Sequence, residues 1–140
     1  MIDNLNFIYP EIFISLSIMF LLLLGVFKKN SNSIVYNLSI IFLIFTLALI
    51  FNYPLQSNIN LFNDSYEINF FSSFMKILTI SSGSFVLIAS SKYLKIFKIF
   101  QIEYSILLLS SILGMMVMIS SNDLIVFYIG LELQSLSLYV

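Results

Sequence analysis

The 140-residue sequence contains no cysteine, histidine, tryptophan or arginine, and only two prolines. Each absence removes a chemistry. Without cysteine there is no disulfide, no thiolate and no iron-sulfur ligation. Without histidine and arginine, the usual metal-ligating and phosphate-gripping side chains are missing. Lysine supplies all the positive charge; six basic against seven acidic residues leave a net charge of −1, which gives no electrostatic reason to expect a nucleic-acid partner. Alanine is also scarce, at two residues, beside heavy use of Ile, Phe, Asn, Ser and Lys. That bias points to an AT-rich coding sequence, as in organelles and some bacteria.

Charge itself is the most telling shortage. At 9% charged and 60% hydrophobic residues, the chain cannot present the polar exterior that a soluble domain of this size needs. It reads as an integral membrane protein of the all-α class. A hydrocarbon core about 30 Å thick needs about 20 apolar residues in a helix, and five such stretches lie between polar breaks: residues 9–27, 34–53, 70–93, 103–119 and 122–140. Continuous apolar runs favour helices over barrel strands, which alternate and are about half as long. No positive residue precedes the first run and Lys28 and Lys29 follow it, so it is expected to be a retained span and not a cleaved signal peptide.

Boundary residues agree with this division. Pro10 suits a first helical turn and Glu11 complements the positive helix end. Pro54 closes the second helix, and residues 54–69, with Asp64 and Glu67, read as a surface loop. Ser120, Ser121, Asn122 and Asp123 form a tight turn in which Ser or Asn caps the fifth helix, making helices four and five an antiparallel hairpin. Lys28 and Lys29 share one side of the membrane with Lys92, Lys95 and Lys98, which the positive-inside rule makes the cytoplasm or matrix. These lysines read as topology determinants in contact with membrane lipids. Asp3, Asp64, Glu67 and Asp123 fall on the other side, with the N-terminus.

Several residues have an ordinary reading. Lys76, two turns into helix three, is expected to snorkel to the outer interface, with a buried role as the alternative. Glu103 anchors the start of helix four. Ser110, Gly114 and the run Ser81-Ser82-Gly83-Ser84 let helices approach closely. Met115, Met116 and Met118 belong to the bundle core.

Glu132 resists such a reading. It lies about ten residues into an apolar segment, where translocon-based scales put an acidic side chain at roughly 2.5 to 3.5 kcal/mol unfavourable. Such a charge needs a partner, a bundle interior or a wet cavity. At 100° per residue, Tyr128, Glu132, Ser135 and Tyr139 share one face of helix five, with Gly130, Gln134 and Ser137 roughly opposite. Hydroxyls around a carboxylate can relay protons or hold water. The structural alternative is a Glu that hydrogen-bonds a neighbouring helix as packing glue.

Two stretches carry a family resemblance: Glu103-Tyr104-Ser105-Ile106-Leu107-Leu108-Leu109 through Leu113-Gly114-Met115-Met116, and Ser121-Asn122-Asp123-Leu124 through Tyr128-Ile129-Gly130-Leu131-Glu132-Leu133-Gln134-Ser135-Leu136-Ser137-Leu138-Tyr139. They closely resemble subunit 2 of respiratory complex I, the antiporter-like membrane subunit called subunit N in bacteria. A looser likeness covers Pro10-Glu11 and Phe71-Ser72-Ser73-Phe74-Met75-Lys76. The run Gly130 to Leu136 favours subunit 2 over its paralogues.

The resemblance implies a bundle of about fourteen helices with two inverted five-helix repeats. Residues 1–102 would be three accessory helices and 103–140 the first two helices of the first repeat. It also implies that Glu132 is the helix-five Glu of a proton path and pairs with a Lys on a later helix outside this sequence. Lys76 is not assigned that part. The expected function is proton translocation coupled to NADH:ubiquinone oxidoreduction by the whole complex, with FMN, iron-sulfur clusters and ubiquinone held by other subunits and no cofactor or metal in this chain. Expected partners are the other membrane-arm subunits and a second chain supplying the rest of the subunit, unless the sequence is truncated; the fragment is not expected to pump alone. The expected membrane is the mitochondrial inner membrane, or alternatively the bacterial plasma membrane, with the N-terminus outside, on the intermembrane-space side in a mitochondrion. A non-catalytic bracing subunit and a piece of a multisubunit sodium/proton antiporter are the competing readings.

Overall fold

The computed structural model describes residues 8–27, 32–52, 59–61, 65–96 and 102–139. Its elements are helices α1 (Tyr9–Phe27) and α2 (Asn32–Phe51), strands β1 (Ile59–Leu61) and β2 (Tyr66–Ile68), then helices α3 (Phe70–Ile96), α4 (Ile102–Ile119) and α5 (Leu124–Tyr139). Helices α1, α2 and α4 are long and apolar enough to cross a membrane, as is the segment Phe70–Leu94 of α3. The 16-residue α5 is apolar but shorter, about 24 Å at 1.5 Å per residue. The expected spans agree with these helices to within about three residues at each end. Asp3, Lys28, Lys29, Pro54, Asp64 and Lys98 lie outside the described residues.

Buried positions explain how the first four helices meet. Ile14 and Leu21 on α1, Tyr36, Leu43 and Ile50 on α2, Ile80, Leu87 and Leu94 on α3, and Leu109 and Met116 on α4 are all core residues. Within each helix they recur every seven residues, the spacing that keeps one seam facing its neighbours in near-antiparallel packing. Phe13 stacks between Phe42 and Phe45, at ring-centroid distances of 5.8 and 4.8 Å, and knits α1 to α2. Large apolar side chains such as Met19, Leu23, Ile44, Phe85 and Ile88 point outward, as lipid-facing surfaces do.

Several serine and threonine hydroxyls inside the spans are satisfied within their own helices. Ser17, Ser39, Thr46, Thr79 and Ser110 each donate to the carbonyl three residues earlier, at 2.6–2.8 Å. The Tyr36 hydroxyl crosses from α2 to α3, where it meets the Leu87 carbonyl and Ser90 Oγ. Gly83 is buried against Ile112 and Leu108, so the small residues of α3 do admit α4 closely.

The connection between α2 and α3 differs from the expected plain loop. It contains an antiparallel hairpin pairing Ile59 with Ile68, Asn60 with Glu67 and Leu61 with Tyr66. Three-residue strands are too short to show a period in sequence. Tyr66 and Ile68 turn inward from β2 and form a second small core with Ile8 and Val126. Asn69 then starts α3: its carbonyl accepts from Ser73 N–H, and its own N–H donates to Ser72 Oγ at 2.8 Å. Asp123 holds the equivalent place before α5, its carbonyl accepting from Phe127 N–H. It sits there in place of the expected Ser or Asn, and its acidic side chain suits a helix N-terminus.

Candidate functional site

Two acidic side chains in the helices demand explanation, and their surroundings differ. Glu11 is the third residue of α1 and Lys76 the seventh of α3, and the alternating direction of the helices brings both to the hairpin end of the bundle. Lys76 Nζ lies 2.6 Å from Glu11 Oε1, with both residues almost wholly buried. Tyr66 completes the cluster from β2. Its hydroxyl donates to the same Glu11 oxygen at 2.8 Å and accepts from Lys76 Nζ at 3.3 Å. The ammonium also lies 5.2 Å from the Tyr66 ring centroid, a cation-π distance. Burial, followed by the Glu11 charge, pushes the Tyr66 phenol far above its ordinary range, so it stays protonated and donates. Glu11 Oε2 is buried with no hydrogen-bond partner among the described residues.

The snorkelling expected of Lys76 is therefore overturned. Burying an ammonium costs several kcal/mol, and a carboxylate at contact distance offsets it where open lipid interface would not. Glu11 likewise does more than complement a helix end. Each residue reads alone as an interfacial charge. The available signal was their coincidence: opposite charges at the same expected end of two apolar helices.

Glu132 sits on α5, which packs chiefly against α4 through glycine. A Cβ added to Gly114 would lie 2.8 Å from both Gln134 N and Gly130 O, and one added to Gly130 would lie 2.9 Å from Gly114 O. Here backbone meets backbone, so only glycine fits on either helix. Gly130 and Gln134 thus define the face of α5 turned toward α4, and Glu132, 200° away along the helix, turns from it. An apolar groove lined by Met75, Leu78, Met115, Met118 and Gln134 lies on the glycine side, away from the carboxylate.

The residues grouped with Glu132 are only partly drawn together. Tyr128, one turn earlier and exposed, has its hydroxyl within electrostatic reach of the Glu132 carboxylate. Ser135 instead donates to the backbone carbonyl of Glu132 at 3.1 Å, and Tyr139 is exposed near the helix end. Glu132 itself is half-buried. Among the described residues the only ion pair is that of Lys76 with Glu11, and Glu132 faces no cation there. Glu103 is exposed in the first turn of α4, where an interfacial anchor belongs. Met116 is fully buried in the core with Met115 packed against it.

No family model matches the chain. Curated relatives do. NADH-quinone oxidoreductase subunit N of Pelagibacter ubique is 74% identical over 138 residues, covering 99% of this chain. The chain is homologous to subunit N. The proteins of the same name from Bartonella bacilliformis and Paramagnetospirillum magneticum are 43% and 36% identical, over 99% and 95% of this chain. The chain spans 27–29% of the length of these subunit N relatives. Homology to subunit N and four apolar helices of spanning length mark a multi-pass membrane protein.

Proposed function

We propose that this chain forms part of the membrane arm of a proton-translocating NADH-quinone oxidoreductase and that Glu132 holds a proton on the path across it. The observation that carries the reading is the placement of Glu132: a carboxylate within an apolar helix, turned from the α4 contact, beside a Tyr128 hydroxyl. A carboxyl group so placed is neutral when protonated, and a cation on a facing helix would favour its charged form, so moving that cation loads or releases the proton. Tyr128 is the donor that steadies the charged form; Ser135 and Tyr139 are secondary candidates on the same face.

The oxidoreduction belongs to the assembly. Its flavin, iron-sulfur and quinone chemistry is assigned to other subunits, which are the proposed partners, together with the remaining part of the subunit carrying the cation that Glu132 requires. Residues 1–102 form the accessory helices and 103–140 the opening pair of a transport repeat. The bacterial sources of the relatives favour a bacterial plasma membrane over the mitochondrial inner membrane, with the hairpin end outside.

The test is Glu132→Gln in the intact complex, which keeps the shape and removes the titratable proton. The expected result is a lower proton-to-electron ratio with normal assembly and quinone reduction. An unchanged ratio would overturn the proton-path reading in favour of a bracing role. Cation transport without NADH-linked activity would instead identify a sodium/proton antiporter piece.

A further inference from the structure

The Glu11, Lys76 and Tyr66 cluster is not used by the function proposed for Glu132, yet hydrogen bonds link it to the start of the helix that carries Glu132. Tyr66 is flanked by two backbone bonds to the turn between α4 and α5. Glu67 N–H donates to Ser120 O at 2.8 Å, and Asn122 N–H donates to Ser65 O at 3.0 Å, with Tyr66 bridged to Ser121 between them. The turn thus lies along β2 as a further short strand would. Val126, in the first turn of α5, packs against Tyr66 and Ile68. Asp123, directly after the clasped residues, supplies the first carbonyl of α5.

We infer that Glu11, Lys76 and Tyr66 are positioning residues: a buried latch that fixes the outer end of α5 and so orients Glu132. The polar force of the latch is concentrated on one atom, Glu11 Oε1, which takes both the ammonium and the phenol. One carboxylate oxygen therefore ties α1 to α3 and both to the hairpin. The hairpin passes this constraint to the turn through backbone bonds that carry no side-chain specificity of their own. Freed from Glu11, Tyr66 would have a buried phenol without its acceptor, a state that favours withdrawal of β2 from the bundle. The Ser120 to Asn122 turn would then lose the edge that holds it. The functional half of this inference rests on the proton path proposed for Glu132; the mechanical half does not.

The experiment uses the intact complex. Amide hydrogen exchange is followed in peptides covering residues 65–68 and 119–124, together with the proton-to-electron ratio, for Tyr66→Phe, Lys76→Met and the double variant Glu11→Gln/Lys76→Met. Tyr66→Phe keeps the packed ring and is expected to raise exchange in both peptides about ten-fold, as loss of a hydrogen bond to a charged group does, with α1 and α2 unaffected. The ratio should fall with it. The double variant retains an acceptor for Tyr66 and buries no lone charge, so it should restore both readouts where Lys76→Met alone impairs them. Unchanged exchange in Tyr66→Phe overturns the latch, and raised exchange with an unchanged ratio overturns its role in orienting Glu132. If Lys76→Met fails to assemble, Tyr66→Phe and the double variant still decide the matter. Should Glu132→Gln leave the ratio unaltered, the proton path falls, while the exchange data judge the latch independently.

Discussion

The cluster at the hairpin end and the Glu132 face are two answers to the same expense, a carboxylate away from water. At Glu11 the answer is closed: a lysine at 2.6 Å and a phenol at 2.8 Å, both from this chain and both buried. At Glu132 it is open, with a single exposed tyrosine beside a half-buried acid and no facing cation among the described residues. A closed pair fixes helices in place, because separating it strands a charge. An open acid is free to change its protonation when a charge approaches or withdraws.

The sharpest way to break this contrast is to open the closed pair. Lys76→Met should destabilise the bundle by about 3–5 kcal/mol, since it leaves Glu11 buried and unpaired, whereas Glu11→Gln/Lys76→Met should lie close to the unaltered protein. Thermal unfolding of the purified complex and the amount of assembled subunit measure both. Next in size is Gly130→Ala, whose Cβ would meet the Gly114 carbonyl at 2.9 Å and the Met118 backbone N at 3.0 Å. A cost of about 1–3 kcal/mol is expected for the overpacked seam, seen as a lower melting temperature and faster amide exchange in α5. Glu132→Gln should change stability by about 1 kcal/mol or less, since no ion pair is lost among the described residues, and yet reduce pumping per electron. That dissociation of stability from transport is what an open acid requires. The smallest effect is expected from Tyr128→Phe, which removes one donor from an exposed position and should move the pH dependence of pumping without altering assembly.

The helices were legible because lipid imposes one rule on every residue of a span, and apolar length alone reports it. Gly114 was legible as a contact residue for the same reason, since small side chains in a membrane helix have few other uses. Gly130 was placed correctly on the face opposite Glu132, although its own contact with Gly114 needed the structure. Lys76 was not legible from its own surroundings: its partner lies 65 residues away in sequence, nothing in the run from Phe71 to Lys76 distinguishes a snorkelling lysine from a paired one, and only its coincidence with Glu11 at one end of the bundle offered a signal. The hairpin was missed because Tyr66 to Ile68 offers only one alternation of inward and outward residues. Its stability comes from edges it shares with β1 and with the turn after α4, which are tertiary facts.

The glycine contact has a mechanical corollary. Where Gly114 and Gly130 touch backbone to backbone, α4 and α5 have no compliant side chains between them, so that point acts as a fulcrum. With the clasp on the Ser120 to Asn122 turn released, a tilt of α5 about the fulcrum would swing Leu124 and Tyr139 through wide arcs in opposite senses. Glu132 lies only two residues beyond the fulcrum, so a tilt would scarcely change its depth, whereas a roll of α5 over the same contact would change its bearing around the helix axis. What such a joint controls is the direction in which the acid points, and therefore which neighbour it can reach.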